Sequence, residues 1–378
     1  MSETCLDVLG AEALERVQRP LAESWTLPPA AYIEPAVFAA EVRTTFARDW
    51  VCVGRTDQIP EPGDYLSVDL VDQPLVITRS DDGELHALSR VCLHRAMPLV
   101  EGAGNARRLV CPYHNWTYEL DGRLRAAPMM DGVTDFEPAQ CRLPELRLET
   151  WNGFIFVNRD EQAQSLAPQL SGLTALVEDY GFADMRVVHT IAYDSPWNWK
   201  ILVENFMEAY HHIGTHRESL QPLYPARDSM VEDNGERPWA CLRMPPRQAG
   251  ESNTGHGTTE SDLFAACVFP TFLIASTGDG GVWYQLEPTA HDAMQLRIHA
   301  LANSAADEDS DPEALAGLEA MLRGVHEEDI VANHGPWRGL HGALTRQGRL
   351  SPYEKAIWQL NQLWVQRVMS APLASSNR

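Results

Sequence analysis

Hydrophobic and polar positions follow different patterns in successive parts of this chain of 378 residues. Residues 1–45 predict a helical lead-in, because apolar positions from Val37 to Phe46 recur at helical spacing. From about 46 to 160 come short runs rich in β-forming residues, separated by turn sequences. These runs include Tyr65–Val71, Leu75–Arg79 and Phe154–Asn158. The pattern predicts a small all-β domain over residues 46–160.

Helical periodicity returns in the third part, residues 161–378, and alternates there with strand-like runs. The expected helices cover Leu166–Tyr180, Trp197–Ile213 and a final third from Pro312, and the expected strands lie around Cys267–Ala275 and Val282–Leu286. Residues 232–262 show no period, which is typical of a surface loop or an access lid. The whole chain is therefore α+β, with a sheet packed against long helices in its C-terminal half.

Charge and composition exclude several classes of function. The formal net charge is −23, whereas nucleic-acid binding depends on clustered Lys and Arg. No apolar run reaches the length of a signal peptide or of a membrane span, so we expect a cytoplasmic protein that does not bind membranes. The 7 cysteines are an odd number, which argues against a disulfide framework. Metal binding or simple burial remains for them.

Two Cys and His pairs stand in the predicted β domain. The first is Cys92-Leu93-His94, and sixteen residues later comes Cys111-Pro112-Tyr113-His114. An Fe–S cluster with two thiolates and two imidazoles needs this set of side chains. The same four side chains can form a tetrahedral zinc site, although zinc motifs usually pair Cys with Cys and His with His. An Fe–S cluster is the favoured hypothesis, and structural zinc is the alternative.

A second group of metal-ligating residues lies on the helix expected over Trp197–Ile213. On a helical wheel Glu204, Glu208 and His211 fall within roughly 60° of one another, while apolar residues cover the opposite side. Carboxylates in such a buried helix must be paired or metal-bound. Gly214 is expected to end the helix and to let His216 turn back toward the same point. Two histidines and one carboxylate form the facial triad of non-haem Fe(II) oxygenases.

The third ligand is expected on the final helix, which should begin at Asp311-Pro312. Its apolar stripe of Leu315, Leu318, Leu322 and Val325 leads next to Asp329. Glu327 and Glu328 are expected to face elsewhere on this helix, so Asp329 is the acid that should enter the core. His326 lies near the same stripe and is the reserve candidate.

Both motifs resemble those of Rieske non-haem iron oxygenases of the ring-hydroxylating alpha-subunit superfamily. The resemblance rests on Cys-x-His-Arg, on Cys-Pro-Tyr-His-Asn-Trp and on Glu204-Asn205-x2-Glu208-x-Tyr210-His211-x4-His216, and it spans most of residues 40–365. It implies an N-terminal Rieske [2Fe-2S] domain and a C-terminal catalytic domain of the helix-grip type. By that match, Cys92 and Cys111 bind one cluster iron, and His94 and His114 bind the other.

The resemblance also implies a mononuclear Fe(II) held by His211, His216 and Asp329, with O2 as co-substrate. Glu208 matches the acid that, in this superfamily, links the iron site to the cluster of a neighbouring subunit, which implies a homotrimer. A carboxylate between two imidazoles fixes their tautomers and provides a hydrogen-bonded route for electrons. The sequence contains no recognisable flavin or nicotinamide site. Electrons should therefore come from a separate NAD(P)H-dependent reductase of the flavin or ferredoxin type.

Two substrate classes fit the motifs. Glu208, where many ring hydroxylases carry Asp, resembles the branch that oxidises carnitine, glycine betaine or choline, and hydroxylation of an N-methyl carbon would release formaldehyde. Hydroxylation of an aromatic acid is the alternative. Aromatic residues can supply a cation–π cage for a quaternary amine, and the candidates are Phe206, Trp239, Phe269, Phe272, Trp283 and Tyr284. Outside the oxygenases, an electron carrier or a zinc-stabilised ligand-binding module remains open.

Overall fold

The structure, a computed structural model, describes residues 5–247, 262–278, 280–303 and 312–370. The chain divides into two compact units. One, called the β unit below, is Phe46–Ser165. The other, called the mixed unit, joins Met1–Thr45 to Leu166–Arg378. The helical lead-in therefore groups with the C-terminal half of the chain.

Two antiparallel sheets build the β unit. In chain order, its first five strands are β1 (Val51–Arg55), β2 (Asp64–Leu70), β3 (Gln73–Arg79), β4 (Leu85–Ser89) and β5 (Ala103–Asn105). The others are β6 (Leu109–Val110), β7 (Thr117–Tyr118), β8 (Leu124–Ala126), β9 (Glu145–Trp151) and β10 (Phe154–Asn158). The larger sheet has the order β1-β10-β9-β4-β3-β2-β5, and β6-β7-β8 form the smaller one. The all-β prediction for this part of the chain is confirmed.

Apolar side chains from both sheets meet in one core cluster that contains the two motif cysteines. Val76 and Leu88 of the larger sheet pack in the same cluster as Tyr118 of the smaller one, and Cys92 and Cys111 are buried among them. The cysteines therefore lie on the inner side of the loops that carry them. The sulfur atoms are thus shielded from water.

Helices and one antiparallel sheet build the mixed unit, as the α+β prediction requires. The described helices are α1 (Cys5–Leu9), α2 (Ala11–Gln18), α3 (Ala30–Ile33), α4 (Pro35–Thr44), α5 (Leu166–Val177), α6 (Trp199–Phe206), α7 (Pro312–Leu340) and α8 (Lys355–Met369). The strands are β11 (Met185–Ser195), β12 (Met230–Val231), β13 (Trp239–Met244), β14 (Leu263–Val268), β15 (Phe272–Ser276), β16 (Gly281–Ala290) and β17 (Ala293–Asn303). Their order in the sheet is β11-β17-β16-β15-β14-β13-β12.

The long helix α7 packs on one face of this sheet. Leu322 of α7 is buried against Ile191 of β11 and Ala300 of β17. Val282 of β16 packs against the same cluster, and Tyr284, two residues later, lies on the same face because side chains alternate along a strand. The helix α6 contacts α7. The space bounded by α6, α7 and this sheet face is where the motif residues of the mixed unit meet.

Among the described residues, no helix has both the length and the apolar character needed to cross a bilayer.

The helix expected over Trp197–Ile213 is interrupted, so that prediction was wrong. α6 ends at Phe206, where the N–H of Met207 is shared between the carbonyls of Val203 and Glu204, both at 3.2 Å. A separate 3₁₀ turn, Tyr210–Ile213, follows. The carboxylate of Glu208 accepts a hydrogen bond from the backbone N–H of His211 at 2.9 Å. This cap-like contact stabilises a new turn in place of a continued helix.

Because of this break, Glu204 does not share a stripe with Glu208 and His211. It accepts a hydrogen bond from the Tyr32 hydroxyl at 2.8 Å instead, and burial raises its pKa to about 7. Gly214 ends the turn as expected, with φ −104°, and His216 returns to the same point as His211.

The loop expected over residues 232–262 contains a core strand. β13, Trp239–Met244, pairs with β14 in the sheet and is almost entirely buried. That part of the loop prediction was wrong, because the run Trp-Ala-Cys-Leu-Arg-Met lacks the alternation by which half-buried strands are recognised. Residues 248–261 lie outside the described part of the chain.

A buried ion pair ties the lead-in helices to the rest of the mixed unit. Glu41 of α4 is fully buried, and its carboxylate lies 2.6 Å from the ammonium group of Lys200 on α6. The indole N–H groups of Trp199 and Trp364 donate to the same carboxylate, at 3.1 Å and 2.6 Å. Burial lowers the pKa of Lys200, although Glu41 opposes the shift. One carboxylate thus joins α4, α6 and α8.

Glu41→Ala leaves the Lys200 ammonium buried without its carboxylate, so the mixed unit should lose about 3–5 kcal/mol of stability. Thermal unfolding followed by circular dichroism measures the loss as a lower midpoint. The matched control is Glu23→Ala, because Glu23 is exposed in the same unit, and its effect should stay within about 0.5 kcal/mol. Equal midpoints for the two variants would contradict the structural role of the ion pair.

Candidate functional site

Two loops of the β unit present the Cys and His pairs with the same backbone geometry. In each loop the backbone N–H of the cysteine donates to the backbone carbonyl of the residue five positions later. The backbone N–H of the residue four positions later donates back to the carbonyl of the cysteine. The bonds are Cys92 to Met97 (2.9 Å), Ala96 to Cys92 (3.1 Å), Cys111 to Trp116 (2.8 Å) and Asn115 to Cys111 (2.9 Å). Ala96 and Asn115 have φ values of 54° and 59°. Both loops thus reverse at equivalent positions and expose their histidines on one side.

The two histidine rings converge. The Nδ1 atoms of His94 and His114 lie 3.1 Å apart, close to the separation of about 3.4 Å between two ligand atoms that each lie about 2.1 Å from one tetrahedral metal ion. His94 also stacks on the indole of Trp116, with ring centroids 5.0 Å apart and an interplanar angle of 5°. Burial, His94 and Arg95 lower the pKa of His114, in that order. The close approach of the two Nδ1 atoms and the lowered pKa of His114 both suit binding of a metal ion.

Tyr118 supplies a hydrogen bond at the cysteine end of this site. Its hydroxyl lies 3.3 Å from Cys92 Sγ and accepts the N–H of Leu93 at 3.0 Å. The hydroxyl hydrogen is thus available to the sulfur. Buried thiolates with such a hydrogen bond suit an Fe–S cluster, whose reduction potential depends on hydrogen bonds to sulfur.

In the mixed unit, His211, His216 and Asp329 bring one ligand atom each to within 4.8 Å of one another. Asp329 Oδ1 lies 2.9 Å from His216 Nε2 and 3.5 Å from His211 Nε2. His216 is 1% exposed and Asp329 is 8% exposed. Two imidazole nitrogens and one carboxylate oxygen are the donor set of the facial triad. Among the described residues this is the one group of three or more that can hold a metal ion.

Each histidine of this group has a second carboxylate on its outer nitrogen. Glu208 Oε1 lies 2.7 Å from His211 Nδ1, and Glu328 Oε2 lies 2.6 Å from His216 Nδ1. Ser219 donates to the same Glu328 oxygen at 2.5 Å. A carboxylate on Nδ1 keeps the hydrogen there, so that the lone pair of Nε2 faces the metal position. The expectation that Glu328 faces away from the site was wrong, because its side chain is long enough to reach His216 on the neighbouring loop.

Further polar residues surround Asp329. Asn205 donates to Asp329 Oδ1 at 2.8 Å and so orients the carboxylate. His326, the reserve ligand candidate, is buried one turn earlier on α7 and does not belong to the group of possible ligands. His212, next to His211 in sequence, instead lies 3.2 Å from the carbonyl of Tyr224 through its Nδ1.

The candidate cage residues separate into two sets. Phe206 and Tyr284 lie together on the α7 side of the sheet, with ring centroids 5.0 Å apart. The other four, Trp239, Phe269, Phe272 and Trp283, are buried in the core. Trp283 stacks on His299 and points to the opposite sheet face from its neighbour Tyr284. Phe206 and Tyr284 are therefore the candidate cage pair on the side of the candidate ligand Asp329, whose charge acts on Tyr284.

Comparison with known families gives two matches that follow the two units. Residues 49–137 match the Rieske [2Fe-2S] domain. Residues 182–371, half of the chain, match the catalytic domain of the ring hydroxylating alpha subunit. The chain belongs to this family. Its matching domains imply one [2Fe-2S] cluster and one mononuclear iron, and both donor sets described above fit these groups.

Within the ring hydroxylating alpha subunit family, the similar curated proteins include oxygenases of quaternary amines. The carnitine monooxygenase oxygenase subunit of Acinetobacter baumannii is 36% identical over 191 residues, 50% of this chain and 52% of the relative. The glycine betaine monooxygenase oxygenase subunit of Chromohalobacter salexigens is 37% identical over 205 residues, 54% of this chain and 46% of the relative. The chain thus spans about half the length of these relatives in the match. Chloroplastic choline monooxygenase of Spinacia oleracea is 27% identical over 363 residues, 93% of this chain and 80% of the relative.

Solved structures of the family share the whole fold. A quaternary ammonium Rieske monooxygenase, described with insights into carnitine oxidation and inter-subunit electron transfer, has a TM-score of 0.82 at 25% identity and covers 91% of this chain and 95% of its own. Naphthalene 1,2-dioxygenase with indole bound has a TM-score of 0.75 at 20% identity, with 92% of each chain covered. The second likeness concerns the fold alone. The predicted fold class, a Rieske domain followed by a helix-grip catalytic domain, is confirmed.

When no metal is bound, the carboxylates around His211 and His216 favour the protonated state of both imidazoles. Burial alone would lower the pKa of His211, but its contacts with Asp329 and Glu208 outweigh burial and raise the pKa to about 9. The pKa of His216 is raised in the same way, against burial, by Asp329 and Glu328. Burial would raise the pKa of Asp329, and the two histidines hold it well below its usual range. The metal-free site therefore contains protonated imidazoles around an ionised carboxylate.

A divalent ion must displace these protons, because imidazole binds metals only when neutral. Adding Co(II) to metal-free protein at pH 7.5 should therefore release about one proton or more per ion bound. The apparent affinity should rise with pH and level off above about pH 9, where His211 loses its proton. Calorimetry in two buffers with different ionisation enthalpies counts the protons. Binding heats that do not depend on the buffer at pH 7.5 would contradict this picture.

Proposed function

We propose that this chain is the terminal oxygenase component of a two-component system that hydroxylates a small quaternary amine with O2. The observation that carries the proposal is the convergence of His211, His216 and Asp329, with a second carboxylate on each imidazole. In this proposal these three residues bind the mononuclear Fe(II). A pure electron carrier would have no use for a second buried donor set of this kind.

The cluster ligands are Cys92 and Cys111 on one iron and His94 and His114 on the other. The matching loop geometry and the 3.1 Å approach of the two Nδ1 atoms support this pairing. The same four side chains could also form a structural zinc site. The match of residues 49–137 to the Rieske domain favours the Fe–S cluster.

The proposed reaction inserts one oxygen atom of O2 into a C–H bond, and the other atom leaves as water with two protons and two electrons. When the C–H bond belongs to an N-methyl group, the hydroxymethyl ammonium product loses formaldehyde and a proton and leaves a tertiary amine. The bound iron supplies O2 activation and the bound cluster supplies an electron. The chain itself fixes the tautomers of His211 and His216 through Glu208 and Glu328. Asn205 orients Asp329.

The substrate class rests on two observations. The relatives at 36% and 37% identity are named as oxygenase subunits for carnitine and glycine betaine. The faces of Phe206 and Tyr284 offer an aromatic surface beside the metal ligands, and a quaternary ammonium group is attracted to such faces. Hydroxylation of an aromatic acid is the alternative, supported only by the fold shared with naphthalene 1,2-dioxygenase. The quaternary amine is therefore the preferred substrate.

Electrons come from a separate reductase and pass between subunits of a homotrimer through Glu208. Apolar side chains are exposed around each end of this route. Near the cluster histidines they are Leu93, Met97, Val110 and Tyr113, and near Glu208 they are Tyr210, Ile213 and Tyr353. Exposed apolar patches of this kind mark protein contacts. A contact between different patches on two copies is head-to-tail, and it closes into a ring when the rotation allows.

Single turnover tests the function without the reductase. Holoprotein is reduced with dithionite under anaerobic conditions, desalted, and mixed with O2 and glycine betaine, carnitine, choline or benzoate. One electron in the cluster and one on the mononuclear iron permit about one product per chain. Formaldehyde is expected with at least one of the quaternary amines and no hydroxylated benzoate. Hydroxylated benzoate without formaldehyde would contradict the quaternary-amine function and favour ring hydroxylation instead.

Two acids of the same segment serve as variant and control in this assay. Glu208→Gln should keep both iron centres but lower the product yield at least tenfold, because the carboxylate between the centres is lost. Glu204→Gln should retain the product, since Glu204 accepts from Tyr32 and lies outside the site. Iron analysis confirms that both variants are loaded. If Glu208→Gln gives the same product yield as the unsubstituted protein, Glu208 does not take part in electron transfer.

Mixed trimers test the passage between subunits. His94→Ala damages the cluster and His211→Ala removes the mononuclear iron, so each variant alone should give no product. When the two are co-expressed in equal amounts, half of the chains keep the iron and half of their neighbours keep the cluster. The expected product is about a quarter of the wild-type yield. No product from the mixture would mean that the two centres work within one chain.

A further inference from the structure

The buried face of α7 continues on both sides of Asp329. It carries Leu322, His326, Asp329 and Asn333 at helical spacing. His326 and Asn333 are 0% exposed, and within the described part of the chain neither side chain has a hydrogen-bond partner. Buried polar groups almost always have a partner, and an exception requires an explanation.

His326 faces the same space as the metal ligands. It lies one helical turn before Asp329, an axial rise of about 4.5 Å. Its ring centroid is 4.5 Å from that of Tyr193 on β11 and 5.9 Å from that of Tyr284 on β16. Tyr284 in turn contacts Phe206. The imidazole therefore stands between α7 and the sheet, at the edge of the aromatic pair proposed for the ammonium group.

The His326 end of this space offers hydrogen-bond donors. Burial lowers the pKa of His326 to about 4, so its ring is neutral and has one N–H to donate. The Tyr193 hydroxyl accepts from Arg323 at 3.4 Å, which leaves the hydrogen of that hydroxyl available. Arg323 also pairs with Glu319 at 2.6 Å. Phe206 and Tyr284 present aromatic faces at the other end, so the two ends suit groups of opposite charge.

We infer that His326 binds the carboxylate of a betaine substrate, while the quaternary ammonium group of the same molecule lies against Phe206 and Tyr284. This inference rests on the proposed function and narrows its substrate class to zwitterions with a short spacer. In glycine betaine one methylene group separates the two charged groups, and this short spacer suits the 5.9 Å between the ring centroids of His326 and Tyr284. Binding of the carboxylate gives the buried imidazole its missing partner and orients the N-methyl groups toward the metal ligands.

Equilibrium binding separates this role from a structural one. Calorimetry on the anaerobic ferrous protein gives dissociation constants for glycine betaine, for choline and for tetramethylammonium, which has no carboxylate. His326→Phe keeps an aromatic ring but loses the donor, so the affinity for glycine betaine should fall about tenfold to a hundredfold. Tetramethylammonium should change by less than about threefold. His326→Gln retains an N–H donor and should retain most of the affinity for glycine betaine.

Asn333→Leu is the matched control. Like His326, Asn333 lies on α7, is 0% exposed and has no side-chain hydrogen-bond partner among the described residues. It should leave the ratio of the two affinities unchanged. Should His326→Phe not fold, His326→Leu takes its place in the series. The melting temperature of each variant reports on folding separately from binding.

Three outcomes would overturn the inference: equal losses for glycine betaine and tetramethylammonium, no loss for either, or a loss for choline as large as that for glycine betaine. The last would mean that His326 recognises a hydroxyl group. If the wild-type protein binds none of the three compounds, the proposed substrate class itself fails. If it binds glycine betaine and His326→Phe does so equally well, only the role of His326 fails.

Discussion

The mixed unit depends on one electrostatic constraint, the burial of the Asp329 carboxylate between two imidazoles. A buried carboxylate is costly unless positive charge compensates it. Without a metal, protons on His211 and His216 provide that charge, which is why the pKa of His211 is raised to about 9. A divalent ion provides it with better geometry, since both Nε2 atoms and Asp329 Oδ1 already face one point. The same arrangement therefore explains folding without metal and binding of metal.

Glu208 connects this constraint to the local fold. One of its oxygens caps the backbone turn at His211 and the other contacts the ring of the same residue. The interruption of α6 after Phe206 is thus part of the site, because a continuous helix would have kept Glu208 on a stripe with Glu204. Glu208 is 8% exposed, and the apolar side chains Tyr210 and Ile213 are exposed beside it. In the proposed trimer, a carboxylate at this position contacts both the His211 ring of its own chain and a neighbouring subunit.

Sequence patterns predicted those features that depend on residues lying close together in the chain. The Cys and His pairs could be identified because each pair lies within four residues of the chain, and Asp329 because an apolar stripe of α7 leads to it. The break after Phe206 could not be predicted, since it depends on a side-chain cap that competes with helix propensity. Glu328 was missed because a helical wheel gives the direction of a side chain and ignores its reach. The ion pair of Glu41 and Lys200 joins residues 159 positions apart, which no periodicity reveals.

The proposed function requires iron at two separate donor sets. Anomalous diffraction at the iron edge from crystals of the loaded protein locates both. One peak is expected about 2.2 Å from the Nε2 atoms of His211 and His216 and from Asp329 Oδ1. A pair of peaks is also expected between the Cys92 and Cys111 sulfurs and the His94 and His114 rings. A peak at the zinc edge alone in the β unit, or no peak beside Asp329, would contradict the proposed function.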